Sequence, residues 1–369
     1  MQKVLMYGYG GFGQQLAQLI REHGDFSLLG VIDRRAEALQ AEHPQERFYT
    51  FEEVRDTPAW QEADSILVSA GSPQTAEDIF RRLENSGGWM REKNVGYAPA
   101  SRFAMGYFAP ERITWLDGRA FLARIVVHLA DSCNLKCRGC SHFANLFDEP
   151  GYDFETMIRD FETIRKVAYA PCVYLLGGEP LLNPRIEEIM HETRRLFPDS
   201  DIEIITNGLL VPKMPESFFE SVAGNGVRIN ITMYPPTWEQ RDKIDAVLRK
   251  YRIHHMFSSK VEDFRAPFNP PGRLSDAGVA MKACGADYCR FLRNGRLYKC
   301  PVAALAYQYD ACFGEDLLPR EAGIDIGASD FHEQALRLCE PVKLCRYCAE
   351  QPRLQAWKVS TQPEAGDWY

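Results

Sequence analysis

An apolar run that stops at a glycine, cysteine or polar turn, then an amphipathic stretch, recurs along most of this chain. Lys3-Val-Leu-Met-Tyr7 runs into Gly8-Tyr9-Gly10-Gly11-Phe12-Gly13, after which Leu16, Leu19 and Ile20 share one helical face. Leu28–Ile32 ends at Asp33, and Ser65–Ser69 runs into Ala70-Gly71-Ser72-Pro73. Farther on, Arg124–Ala130 leads to a cysteine loop and Cys172–Leu176 to Gly177-Gly178-Glu179-Pro180. Ile202–Ile205 leads to Thr206-Asn207-Gly208, and Val227–Met233 to Tyr234-Pro235-Pro236. Parallel strands need a crossover between them, usually a helix, so this rhythm predicts an α/β protein. It also gathers the special residues at the carboxyl ends of strands, where barrels and open parallel sheets bind ligands.

The 369 residues suffice for two or three domains. A Rossmann-like parallel sheet is expected over 1–100 and a linker over 101–118. A partial (β/α)6 TIM-like barrel is expected over 119–275 and a small cysteine-rich domain over 276–369. Apolar and charged fractions of 45% and 25% are those of a globular chain, and a net charge of −8 argues against nucleic acid as the main partner. No run approaches the ~20 apolar residues of a membrane span, and Met1-Gln-Lys-Val-Leu-Met-Tyr-Gly has no charged region followed by a long apolar stretch, so no signal peptide is expected. A cytoplasmic protein is expected, in which eleven cysteines favour metal binding over disulfides.

Cys133, Cys137 and Cys140 occupy one short loop. Each thiolate can hold one iron of a cube, and the complete four-iron cluster takes four ligands. A set of three leaves one iron open to bind a small molecule, which makes the cluster a reaction centre. In company with Gly177-Gly178-Glu179-Pro180 and Thr206-Asn207-Gly208, this loop resembles that of the radical S-adenosylmethionine (SAM) superfamily, over roughly 120–260.

The resemblance implies a [4Fe-4S] cluster on Cys133, Cys137 and Cys140, with SAM chelated by the open iron through its amino and carboxylate groups. Gly177, Gly178, Glu179 and Pro180 would then lie near the methionine amino group, and Asn207 near the ribose or carboxylate. Reductive cleavage of SAM would give a 5′-deoxyadenosyl radical that takes a substrate hydrogen. The competing reading is a zinc site of three cysteines and His142. Cys172, inside an apolar strand, reads as a core residue.

Seven more cysteines follow residue 283. Asn294-Gly295 is a two-residue hairpin turn, and pairing Arg293 with Arg296 puts Cys289 opposite Cys300. Cys345-x2-Cys348 supplies a second close pair, and four thiolates can make a closed site, either zinc or iron–sulfur. The segment resembles the SPASM or twitch extensions that hold an auxiliary [4Fe-4S] cluster. Their spacing fits Gly295-x4-Cys300 and favours Cys284 over Cys289, which hairpin geometry favours, so both stay candidates. Cys339 is a substitute late ligand, and Cys312 reads as structural.

Gly8-x-Gly10-x-x-Gly13 between a strand and a helix, with Asp33 ending the next strand, is the context of the dinucleotide fingerprint. The turn can seat a diphosphate on the helix start, and Asp33 can bond a ribose hydroxyl. NAD(P), a nucleotide or nucleotide sugar, and a plain scaffold are the three readings. Thr232, Tyr234, Trp357 and Trp368 are weaker substrate-contact candidates. The function expected is hydrogen abstraction from a small metabolite, a nucleotide-linked sugar by first guess, with an electron donor such as flavodoxin or ferredoxin. A peptide-modifying maturase and a non-catalytic iron–sulfur or zinc protein are the alternatives.

Overall fold

The computed structural model describes residues 1–86, 88–103, 109–147, 151–285, 287–314 and 317–369, so part of the expected 101–118 linker lies outside the described residues. The chain divides into two compact units, Met1–Ala123 and Arg124–Tyr369.

The first unit holds strands β1 (Gln2–Tyr7), β2 (Phe26–Ile32), β3 (Phe48–Tyr49), β4 (Ser65–Ala70), β5 (Asn94–Pro99) and β6 (Thr114–Trp115), with a short β7 (Ala120–Phe121) after them. The first six form one sheet in the order β3-β2-β1-β4-β5-β6. All its pairings are parallel except that of β5 with β6. Strand order reverses at β1, which has β2 on one side and β4 on the other. That reversal opens a crevice at the carboxyl ends of β1 and β4.

The helix Gly11–His23 lays Leu16, Ala17, Leu19 and Ile20 on the sheet and stops at Gly24, whose φ of 79° is left-handed. Val4, Met6, Val31 and Leu67 meet it in a fully buried core. Each such aliphatic contributes about 1.5–3 kcal/mol by burial.

The second unit holds β8 (Ile125–Ala130), β9 (Ala168–Tyr169), β10 (Cys172–Gly177), β11 (Asp201–Thr206), β12 (Arg228–Met233) and β13 (His255–Lys260). It continues with β14 (Asp263–Phe268), β15 (Arg290–Arg293), β16 (Arg296–Tyr298), β17 (Ile324–Asp325) and β18 (Cys348–Ala356). An eight-stranded sheet runs β13-β12-β11-β10-β8-β15-β16-β17. The strands β8, β10, β11, β12 and β13 are parallel in succession.

Six barrel strands in series were expected, and the sixth parallel strand arrives out of order. β14 leaves the sheet to pair antiparallel with β18, its register slipping around Pro267. Proline cannot donate to a ladder and is confined to edges and bulges. β15, from the cysteine-rich segment, takes the free edge of β8 instead.

The crossover helix Phe154–Val167 begins at Asp153, whose side chain accepts from the Thr156 amide, and buries Met157, Phe161 and Ile164. Its Asp160 accepts the Gly295 amide at 2.6 Å, tying the helix to the β15–β16 turn. Asn294 and Gly295 both have positive φ, 49° and 71°, as the two-residue hairpin turn requires. Among the described residues no helix is long and apolar enough to cross a membrane.

Candidate functional site

The cysteine loop leaves β8 through Asp131 and coils tightly, with Lys136 and Gly139 in the left-handed region at φ 49° and 64°. Neighbouring backbone leaves no space at the next turn. A Cβ on Gly178 would lie 2.1 Å from the Ser132 carbonyl oxygen, and one on Gly177 2.3 Å from that of Ala130. With those side chains absent, the Gly178 amide donates to Ala130 at 2.7 Å and the Glu179 amide to Ser132 at 3.0 Å. The glycine pair therefore clamps the base of the cysteine loop to β10.

Glu179 follows the glycine pair. It is fully buried, and its carboxylate accepts from Thr206 Oγ1 at 2.6 Å, the Asn207 amide at 2.9 Å and the Leu181 amide at 3.1 Å. Burial pushes its pKa up to about 7 against these three donors. Glu179 thus ties the ends of β10 and β11 together, and Pro180 is buried behind it. Asn207, which Glu179 holds in place, extends Nδ2 to Asn134 Oδ1 at 2.7 Å and to 3.8 Å from Cys133 Sγ.

The chain's last residues close over the loop. Arg138 donates its amide to the Lys358 carbonyl at 2.9 Å and Ser360 donates to Lys136 at 3.0 Å. Trp357 Nε1 donates to Cys137 Sγ at 3.1 Å, and Trp368 Nε1 to the Cys140 carbonyl at 2.9 Å. Gly139 is required there, since a Cβ would lie 2.4 Å from the Asp367 carbonyl oxygen. The two tryptophans are therefore supports of the cysteine loop. Tyr234 stacks near Trp357, ring centroids 6.0 Å apart.

One cavity of about 600 Å³ takes in Cys133, Cys137 and Cys140 together with Cys284, Cys289, Cys300 and Cys348. Gly177, Gly178, Asn207, Thr232 and Tyr234 also line it. All eleven cysteines are free thiols. Burial raises Cys133 to about 11 and Cys137 to about 12, and raises Cys140 as well. Neighbouring thiolates would push the first two up further.

The late cysteines sort in the same way. Burial lifts Cys300 to about 12, and Cys284 and Cys345 push it up further. Cys348 is raised by burial and then by Cys300, Cys284 and Cys345. These four thiols share one neighbourhood. Cys289, expected opposite Cys300, lies beyond the last paired residues of the hairpin and has its Sγ 4.0 Å from Arg124 Nη1. Cys339 takes a contact from Arg290 Nη2 at 3.3 Å. Cys312 is exposed.

Among the described residues no three His, Cys, Asp or Glu side chains converge on a single ion. A lone zinc needs its donors together at about 2.0–2.3 Å, whereas a cube spreads its thiolates over separate irons. Thiols distributed around a cavity fit the cube. His142, the candidate fourth zinc ligand, is instead 2.6 Å from His128 Nε2 through its Nδ1, and burial drops its pKa to about 3.

Several residues carried no local signal. Arg293 holds Asp131 with two bonds of 2.8 and 2.7 Å, linking the hairpin to the start of the cysteine loop. Burial pushes the Asp131 carboxyl up, yet His128 and Arg293 outweigh it and hold it at about 2. Arg124 lines the cavity with its guanidinium carbon 4.7 Å above the Tyr174 ring, and its Nε is buried without a hydrogen-bond partner among the described residues.

In the first unit a second cavity, about 840 Å³, takes in Gly8, Gly10 and Asp33. Gly13 packs beneath it, where a Cβ would lie 2.3 Å from the Gly8 carbonyl oxygen.

The parallel strands, the clamped three-cysteine loop and the thiol-lined cavity make an α/β fold whose thiols can hold an iron–sulfur cluster. Residues 127–257 match the radical SAM superfamily, so that segment is a radical SAM domain; such a domain takes a SAM-binding [4Fe-4S] cluster, and the cysteine-rich segment that follows it fits an auxiliary one.

GTP 3′,8-cyclase of Microcystis aeruginosa (strain NIES-843 / IAM M-2473) is 32% identical over 124 residues, 32% of this chain and 36% of that protein. The enzyme of that name from Clostridium acetobutylicum is 36% identical over 94 residues, 24% and 28% of the two chains. The chain thus spans about a third of the length of these curated relatives. Among solved structures, BtrN in complex with AdoMet and 2-DOIA covers 68% of this chain and 99% of its own, at 18% identity and TM-score 0.39. Native anSMEcpe with bound AdoMet and Cp18Cys peptide covers 36% and 42%, at 16% identity and TM-score 0.29.

Proposed function

We propose that this radical SAM enzyme abstracts a hydrogen from a small phosphorylated or carboxylated metabolite, held between the two sets of cysteines, and oxidises or rearranges it. The observation that carries this reading is the single cavity bearing Cys133, Cys137 and Cys140 with Cys284, Cys300 and Cys348. When bound, the cluster and SAM supply reductive C–S cleavage and the hydrogen abstraction that follows it.

The chain's own residues do the rest. Cys133, Cys137 and Cys140 hold the cluster that meets SAM. Gly177 and Gly178 keep side chains out of the wall, and Asn207, fixed by Glu179, offers its amide beside Cys133. Cys284, Cys300, Cys345 and Cys348 would hold an auxiliary cluster, which could supply or accept an electron, and three of them line the shared cavity. Arg124 has no carboxylate partner among the described residues and is stacked on Tyr174, so it orients an anionic substrate group. A nucleotide-linked sugar meets these requirements, and the resemblance to a GTP 3′,8-cyclase over 124 residues adds weight to a nucleotide. The electron donor is a flavodoxin or ferredoxin.

The test is anaerobic reconstitution followed by reduction with dithionite in the presence of SAM. The loaded chain should hold about eight irons and release 5′-deoxyadenosine. Cys137→Ala should stop that release and keep the auxiliary cluster's spectrum. About four irons plus zinc in the loaded chain would exclude two clusters. A wild type that leaves SAM intact would exclude the enzyme reading.

A further inference from the structure

We infer that the first unit carries a separate binding site for a nucleoside diphosphate group, at the turn between β1 and the helix Gly11–His23. This stands apart from the radical chemistry of the second unit and does not depend on it.

The three glycines of the turn are there for different reasons. Gly8 has a φ of +98°, and a Cβ on it would lie 2.6 Å from the Ser69 carbonyl oxygen. Gly13 lets the helix sit on the turn, as described above. Both are demanded by the chain itself. Gly10 is not. Its φ is −68°, which any residue adopts, and a Cβ there would meet nothing within 4 Å. As the residue before the helix it also forgoes the side-chain cap that serine, threonine, asparagine or aspartate would supply. What a glycine at 10 does provide is open access to the first amides of the helix, where an anion binds.

Other residues point to the same ligand. Ser69, 6% exposed, lines the cavity at the end of β4, and its hydroxyl has no hydrogen-bond partner among the described residues. That hydroxyl faces the first helical turn, since a Cβ on Gly13 would come within 3.3 Å of it.

Asp33 is held in position by the Tyr9 amide at 2.9 Å on one oxygen and the Arg35 amide at 2.9 Å on the other. A carboxylate has about four lone-pair sites, so capacity remains to accept a ribose hydroxyl. Arg34, Arg35, Arg81 and Arg82 line the cavity against only Asp33 and Asp78, a balance that suits phosphate. The volume, about 840 Å³, is that of a cofactor site. The position is the switch point of the sheet, where a crevice opens.

The experiment is calorimetric titration of the full cluster-loaded chain with ADP, AMP, NAD⁺, NADP⁺ and UDP-glucose. ADP should bind at least tenfold more tightly than AMP, through the second phosphate on the helix start. Tighter binding of NAD⁺ or NADP⁺ than of UDP-glucose would identify a dinucleotide as the source of the diphosphate, and the reverse order a nucleotide sugar.

Gly10→Val should weaken binding tenfold or more while melting temperature and iron content hold, because the new side chain fills only the cavity. Asp33→Asn should weaken the nucleotides and leave inorganic diphosphate unaffected. No binding of any of these at millimolar concentration would overturn the proposal. So would binding that Gly10→Val leaves intact, since that would belong to another site.

Discussion

Gly177–Gly178 and Gly10 both follow parallel strands, yet one pair is walled in by backbone and the other glycine faces empty space. At 178 the missing side chain makes room for the protein, with Ser132 oxygen 2.1 Å from where a Cβ would lie. At 10 it makes room for nothing the chain contains. The same residue in a similar motif is thus a packing device in the second unit and an opening in the first. The cysteine loop needs a rigid floor because its thiols must stay in place around a cluster. A nucleotide turn needs bare amides.

The largest expected effect is at the walled side. Gly178→Ala puts a methyl group into backbone that cannot swing away, at a cost of about 3 kcal/mol. It also pries the loop from β10, so iron content after reconstitution should fall with the melting temperature. A variant that keeps both would mean that the glycine pair is not a clamp.

Glu179→Gln comes next, since a glutamine cannot accept from Leu181, Thr206 and the Asn207 amide at once. Leaving that amide unpaired costs about 2 kcal/mol. The pH dependence separates this from a general loss of packing. The carboxyl is raised from 4.5 to about 7, so between those values the folded chain holds a proton that the unfolded chain has released. The contribution of this carboxyl to stability is therefore full below pH 4.5 and is lost as pH rises toward 7, and the glutamine variant lacks that slope. The two unfolding curves should converge across this window. Curves that run parallel would remove the buried carboxyl from the account.

A smaller effect is expected at Trp357. Its indole N–H, 3.1 Å from Cys137 Sγ, favours the more electron-rich state of a cluster held there, as hydrogen bonds to ligand sulfur do. Trp357→Phe removes the donor and keeps the ring. A bond of about 1 kcal/mol corresponds to about 40 mV for one electron, so the midpoint potential should fall by about that much in an EPR-monitored titration. An unchanged potential would reduce Trp357 to packing.

What could be read in the sequence was local. Strand positions followed from apolar runs, and the Asn294-Gly295 turn from residues that tolerate positive φ. The three-cysteine loop was visible from spacing alone. What escaped was set by distant partners. Trp357 lies 220 positions from the cysteine it touches, and Arg293 162 from Asp131. β14 has strand-like composition, and only its pairing with β18 shows that it left the sheet. Spacing left Cys284 and Cys289 both open as auxiliary ligands, and their surroundings are long-range too: Cys284 neighbours Cys300 and Cys348, while Cys289 neighbours Cys284 and Arg124. Periodicity carries no such information.

The smallest expected effect has the opposite sign and tests the open side of the comparison. Gly10→Ala places a methyl group in free space at a residue whose φ of −68° alanine adopts without strain. With no cost in the folded state, the remaining effect is on the unfolded chain, whose backbone loses freedom when glycine becomes alanine. Stability should therefore rise by about 0.5 kcal/mol in reversible chemical denaturation, where Gly178→Ala falls by several times as much. A clear loss at Gly10→Ala would show that something in the chain does occupy the space beside residue 10, and the contrast between the two turns would collapse.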